Sequence, residues 1–459
     1  MPSATTRSEL PIRPRQEPPP RILKHALASS FPEHQYDSLG AVLAPFNKTS
    51  SSERLSKRPM PTPSKIIAVV NSSGRQAASF IRVASAVGYH VRAQLRNLDG
   101  IVATEISSLP NVTVLVGELY TKSTASGSGS PERAKATTGI NQDLVNELFK
   151  GAQLAFINTT FWGDEVAIGK ALADAALAAG VQHYVYSSMP NYNISNSTWP
   201  SLPLWSSKYT VEMYIRSLAS KGLQATFLYT GIYNNNFTSL LYPLFCMELQ
   251  PDGSFLWQAP FHPDVKLPWL DAEHDVGPAV LQLIKDGPSQ WSGQRIALAY
   301  EMLSPIEACK AFARGVGRPV RYKQGPIEIR VKIPAGYKEQ LEALEKLYSF
   351  GAKDPSLQPP YFGDKQFEDS CPSEALALWE GYRGLEEYAR EVFPLEEAAN
   401  GLTWMNENYA GEETEEDEGR IEGGNGAEEA DDDDDEGLVI GGGTAGDSTP
   451  ARREEEWLA

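Results

Sequence analysis

Between Lys65 and Tyr229, short apolar runs alternate with amphipathic stretches. Lys65-Ile-Ile-Ala-Val-Val70 has the length and composition of a buried parallel strand. A helical pattern over 77–87 follows, and Gly88 ends it. His90-Val-Arg-Ala-Gln-Leu95, Val112-Thr-Val-Leu-Val116 and Gln153-Leu-Ala-Phe-Ile157 predict three more strands. A helix over 166–179, closed by Gly180, precedes the strands His183-Tyr-Val-Tyr186 and Ala225-Thr-Phe-Leu-Tyr229. Strands and helices alternating at this spacing imply βαβ units, hence an α/β fold of Rossmann type with a doubly wound parallel sheet.

Beyond residue 235 the pattern changes. Aromatic- and proline-rich loops are expected over 255–269, and helices near 276–286, 304–315, 335–349 and 373–393. The reading is a Rossmann domain over 64–235, with a flexible Ser/Gly-rich insertion at 121–139, and a smaller α/β C-terminal lobe over 236–405. Residues 1–63 are Pro-, Ser- and Arg-rich and residues 406–459 are acidic and of low complexity, so both are expected to be disordered.

Charge narrows the function classes. Of the net charge of −18, residues 411–459 supply 19 acidic and 3 basic side chains, which leaves the body nearly neutral. Direct nucleic-acid binding is therefore not expected. No apolar run reaches membrane-spanning length, and the N-terminal arm lacks the apolar core of a secretion signal. Cys246, Cys309 and Cys371 are widely spaced and odd in number, which suits a reducing compartment and offers no metal set.

The chemistry concentrates after the first strand, in Asn71-Ser72-Ser73-Gly74-Arg75-Gln76-Ala77. A glycine-rich fingerprint is meaningful between a strand and a helix, where the helix N-terminus meets a pyrophosphate. Asn71 stands where a tight turn at positive φ is needed, Gly74 where backbone approaches phosphate, and Ala77 where helix and strand pack closely. With one true glycine the motif alone also fits a ligand-free strand–turn–helix. At the end of the second strand Gln94, Leu95, Arg96 and Asn97 supply no acid for ribose hydroxyls. Arg96 would accept a 2′-phosphate, stack on adenine, or be solvated, so NAD and NADP both remain open.

Longer strings carry a family resemblance. The segment Ala68-Val-Val-Asn-Ser-Ser-Gly-Arg-Gln-Ala-Ala-Ser79, with Leu154-Ala-Phe-Ile-Asn-Thr-Thr160 and Tyr186-Ser-Ser-Met-Pro190, resembles the NmrA-like family, atypical members of the short-chain dehydrogenase/reductase superfamily. So do Gly231-Ile-Tyr-Asn-Asn-Asn-Phe-Thr-Ser239, the stretch from Leu267 to Pro278, and Glu387-Tyr-Ala-Arg-Glu-Val-Phe-Pro394. The likeness spans roughly 65–405. It implies binding of NAD or NADP, the oxidised form favoured, by Asn71 to Gln76, Arg96, Asn158, Thr159, Thr160, Lys208, and Tyr233, Asn234, Asn235 and Asn236. It also implies a fungal regulator of nitrogen metabolite repression, in nucleus or cytoplasm, that restrains a GATA-type zinc-finger transcription factor.

Reductases of that superfamily use a Tyr-x-x-x-Lys pair, the tyrosine donating a proton beside the hydride site. Here Lys208 matches the lysine, but Leu204 stands in the tyrosine's place. Tyr361 and Lys365 match the spacing far downstream, in a Pro/Gly-rich loop, and read as coincidence. Lys208 is therefore expected to hold the nicotinamide ribose, with an isoflavone reductase-like role as lone acid/base the alternative. Ser187 and Ser188 read as strand-end turn chemistry. A basic zinc finger calls for an acidic face, and Asp271-Ala-Glu273-His-Asp275 offers one, with Gln282 a turn or two further on. Helix capping accounts for the same acids.

Overall fold

The computed structural model describes residues 65–122, 138–161, 163–238, 247–328 and 335–399. The arm and tail expected to be disordered, and most of the 121–139 insertion, lie outside the described residues.

The first half alternates as expected. β1 (Ile66–Val69), α1 (Arg75–Ala86), β2 (His90–Leu95), α2 (Ile101–Ser108) and β3 (Val112–Val116) come first. An antiparallel hairpin, β4 (Tyr120–Lys122) with β5 (Thr138–Ile140), flanks the insertion. Then follow α3 (Gln142–Phe149), β6 (Leu154–Ile157), α4 (Glu165–Ala178), β7 (His183–Ser188), α5 (Tyr192–Ser195), α6 (Pro203–Ser217) and β8 (Ala225–Thr230). After β9 (Ile232–Tyr233) and a 3-10 turn over Asn234–Phe237 come β10 (Glu248–Leu249), β11 (Phe255–Ala259) and β12 (Leu267–Leu270). Next are α7 (Ala272–Asp286), α8 (Pro288–Trp291), β13 (Arg295–Leu298), β14 (Glu301–Leu303), α9 (Pro305–Val316) and β15 (Val320–Gln324). The last elements are α10 (Ala335–Tyr348), α11 (Lys365–Glu368), α12 (Ser373–Leu378), α13 (Leu385–Glu391) and α14 (Phe393–Ala399).

Seven strands make one parallel sheet in the order β13-β8-β7-β6-β1-β2-β3. The chain runs outward from β1 in one direction and then from β6 in the other. That reversal opens a crevice above the carboxyl ends of β1 and β6, the place where such sheets bind ligands. Each face of the sheet carries a buried apolar cluster, as a doubly wound sheet requires.

The structure departs from three expectations. The boundary at residue 235 does not divide the sheet, because β13 pairs with β8 from beyond it. Helix α7, also beyond it, lies against α1: Gly277 N donates to Ser79 Oγ at 2.9 Å, and a Cβ at Gly277 would come within 2.4 Å of Ser79 O. Residues 255–269 are not loops throughout. Phe255-Leu-Trp-Gln-Ala259 alternates buried and half-buried positions and pairs with β10 and β15, while β12 joins β9 and β14. The helix expected over 373–393 is two helices, parted by a loop between Leu378 and Leu385.

Candidate functional site

The β1–α1 loop is built to leave a helix end open. Asn71 takes φ 49°, the left-handed turn expected of it. Its amide Nδ2 donates to Asn158 O at 2.7 Å, tying the loop to the end of β6. Its backbone N–H donates to Gln94 Oε1 at 2.9 Å, and Gln94 Nε2 donates to Gly117 O at 2.7 Å. The buried Gln94 thus joins the ends of β1, β2 and β3, a scaffold role that its sequence position did not reveal. Ser72 turns inward, its Oγ donating to Val69 O at 3.3 Å, while Ser73 stays half-buried beside it.

Gly74 caps α1 without a side chain, and no acid occupies the first turn. Its φ of −68° and ψ of 152° suit any residue, so what glycine contributes is the absence of a side chain. The first intrahelical bond runs from Ala78 N to Gly74 O at 2.8 Å. The N–H groups of residues 75–77 therefore point past the helix end, where an anion would meet them.

Two recesses flank that end. A narrow cleft on the β2 side is lined by Asn71, Arg96, Tyr120, Thr159 and Thr160. On the other side a cavity of about 200 Å³ is lined by Gln76, Asn158, Thr159, Thr160, Glu165, Ser187, Leu204, Lys208, Tyr233, Asn235, Asn236 and Tyr361. Most of the expected nucleotide residues meet there. Gln76 Nε2 donates to Tyr233 OH, and burial pushes that hydroxyl's pKa up. Among the described residues, Gln76 Oε1, Glu165 Oε2, Asn235 Nδ2 and both amide atoms of the fully buried Asn234 have no protein partner. Each such buried atom costs about 1–3 kcal/mol unless something meets it. An open helix end beside unmatched donors and acceptors fits a dinucleotide, with its pyrophosphate and two hydroxyl-rich riboses.

Lys208 is tied down. Its Nζ donates to Asn158 Oδ1 at 3.3 Å, to Glu165 Oε1 at 3.0 Å and to Thr159 O. Thr159 Oγ1 also donates to Glu165 Oε1 at 2.8 Å and lies 3.0 Å from Tyr186 OH. Glu165 escaped the sequence reading because Asp164-Glu165 opens a helix and looks like capping. Asp164 does cap α4, accepting from Ala167 N at 2.9 Å, but Glu165 faces Lys208. Leu204 lines the cavity as an apolar wall. Ser188 donates to the buried Glu212 at 2.7 Å, whereas Ser187 lines the cavity. Tyr361 lines it too, although Lys365 is exposed and pairs with Asp369, so the spacing match makes no catalytic pair.

The loop that carries Tyr361 rests on Glu368, which accepts from Phe362 N at 3.2 Å. Burial pushes the Glu368 carboxyl up to about 7. A raised carboxyl binds its proton more tightly in the folded state, so its contribution to stability falls as pH rises from about 4.5 to about 7. Glu368→Gln is expected to stabilise the protein at pH 8 and to make little difference at pH 4.5. Urea unfolding at the two pH values checks this, and an equal effect at both would refute it.

The expected acidic partner face is largely internal. Asp271 caps α7, accepting from Glu273 N and His274 N at 3.1 Å each, and meets Arg383 at 3.2 Å. Asp275, one helical turn on, is 0% exposed and accepts from Arg383 N at 3.0 Å, from Asp271 N at 3.1 Å and from His274. It therefore presents no carboxylate to a partner. Glu273 is 27% exposed and ion-pairs with Arg75, while the half-buried Gln282 bonds Asp286 at 2.6 Å. Arg75 is corrected as well. Its guanidinium, 4% exposed, also reaches Glu396 of α14 at 3.3 Å, so the side chain braces helices rather than lining the cavity.

The chain is similar to proteins already characterised. The nitrogen metabolite repression protein nmr of Neurospora crassa is 63% identical over 417 residues, covering 88% of this chain and 84% of its own. The nitrogen metabolite repression protein nmrA of Emericella nidulans is 51% identical over 375 residues, covering 74% and 98%. Crystal structures of NmrA, a negative transcriptional regulator, in complex with NAD and with NADP superpose with a TM-score of 0.66. They are 54% identical and cover 74% of this chain and 99% of theirs. The model of the NmrA-like family matches residues 63–389, from the strand before the open helix end to the helix beyond Arg383, and with that extent of match the chain belongs to the NmrA-like family.

Proposed function

We propose that this chain is a negative regulator of nitrogen metabolite repression that binds NAD or NADP, oxidised form preferred, and does no hydride chemistry. It acts in nucleus or cytoplasm by restraining a GATA-type zinc-finger transcription factor. One observation carries the catalytic silence: Leu204 stands where the proton donor would be, and all three Nζ–H bonds of Lys208 are directed at Asn158, Thr159 and Glu165. A lysine committed to three acceptors has no proton to give without breaking one of them. That geometry weighs against the reductase alternative in which Lys208 works alone. The regulators named above, one of them crystallised with NAD and with NADP, support both the cofactor and the role. When bound, the dinucleotide would supply a redox-dependent charge and shape, read by binding rather than turnover.

Asn71 and Gln94 fix the loop, the open end of α1 would take the pyrophosphate, and Gln76, Tyr233 and Asn235 would meet the sugar and amide groups, whereas Asn234 is fully buried and lines neither recess. On the partner side, Glu273 and Gln282 are the two of the three expected residues whose side chains reach the surface. The full chain is to be titrated with both dinucleotides by calorimetry, incubated with NADPH and a panel of carbonyls and alkenes, and mixed with a GATA-type zinc-finger domain. Binding of dinucleotide and zinc finger without NADPH consumption is expected. Steady NADPH oxidation with any substrate would overturn the silent reading.

A further inference from the structure

We propose that Glu165 sets which redox form of the dinucleotide this chain prefers, by cancelling the charge of Lys208 in the cavity wall. The inference rests on the reading that the chain binds NAD or NADP. Adenosine belongs at the end of β2, where Arg96 lines its narrow cleft, and pyrophosphate belongs at the open end of α1. The nicotinamide then falls to the cavity on the other side.

Among the described residues that line this cavity, Glu165 and Lys208 are the two charged side chains. The choice between a cationic ring and a neutral one therefore turns on that pair. Lys208 is 16% exposed and Glu165 5%. Both Thr159 Oγ1 and Lys208 Nζ donate to Glu165 Oε1, which is the pattern of an ionised carboxylate, and Oε2 is left without a partner. An oxidised nicotinamide carries a positive charge that the reduced ring lacks. Lys208 alone would repel it, in a cleft where screening by water is weak. Glu165 offsets that repulsion, and its unmatched oxygen adds negative potential. The same lysine, uncompensated, would favour the reduced ring.

The experiment compares oxidised and reduced forms of one dinucleotide by calorimetry on wild type, Glu165→Gln and Lys208→Met. Adenosine and phosphate contacts are common to both forms, so the affinity ratio isolates the ring. Glu165→Gln is expected to lower the oxidised-to-reduced ratio about tenfold, and Lys208→Met to raise it. Any general loosening of the site by a substitution weakens both forms together and leaves the ratio in place. A ratio unmoved by either substitution, or moved in one direction by both, would overturn the proposal. Failure of wild type to bind either form would overturn the dinucleotide reading itself, and this proposal with it.

Discussion

Gly74→Asp is expected to weaken binding of NAD and NADP at least about 100-fold while leaving the protein as stable as wild type or slightly more so. The two effects share one cause. Gly74 is the N-cap of α1 and contributes no side-chain bond to the helix, and its backbone angles suit any residue. Aspartate at such a position accepts from the N–H groups of the first turn and complements the helix dipole, worth a few tenths of a kcal/mol over glycine. Those same N–H groups are the ones a pyrophosphate would use. A carboxylate there occupies them and repels the incoming phosphates. Losing two charge-assisted hydrogen bonds at about 1.5–3 kcal/mol each gives the expected factor. Calorimetry with NAD, paired with a thermal melt of the free protein, reads both effects. Affinity within threefold of wild type would mean that the helix end is not the phosphate site.

What could be read beforehand followed from local patterns with a single explanation. Lys65 to Val70 had one burial pattern available to it, and Asn71 was the residue best able to turn the chain at positive φ. The parallel pairing of alternating strands and helices followed from the spacing of the runs. The seventh strand, Arg295-Ile-Ala-Leu298, was not legible, because it lies beyond the change of pattern at 235 and joins the sheet only by pairing with Ala225–Thr230. The acids from Asp271 to Asp275 show the opposite limit. Their spacing reads equally as cap or surface, and it is Arg383, over a hundred residues away, that draws Asp271 and Asp275 inward. Glu165 was hidden in the same way by Asp164, a real cap one residue before it. Partners that distant leave no trace in the local pattern.

Arg75 carries that lesson into the fingerprint itself. It lies between Gly74 and Gln76, yet its guanidinium spans Glu273 on α7 and Glu396 on α14, and Tyr388 OH donates to Glu396 at 2.5 Å. The first residue of α1 therefore braces two helices that lie 198 and 321 residues further along the chain. Arg75→Met keeps much of the aliphatic volume and removes the guanidinium from both carboxylates. Glu396, 8% exposed, then loses the guanidinium from a site that water barely reaches. Breaking a buried pair in this way costs about 3–5 kcal/mol, and the partly exposed Glu273 adds little, so a loss of about 3 kcal/mol is expected in urea unfolding of the ligand-free protein. Arg75→Met combined with Glu396→Gln should recover part of that loss, because the second change removes the negative charge that the guanidinium had balanced. If Arg75 existed to grip phosphate instead, the ligand-free stability would barely move and the double substitution would recover nothing.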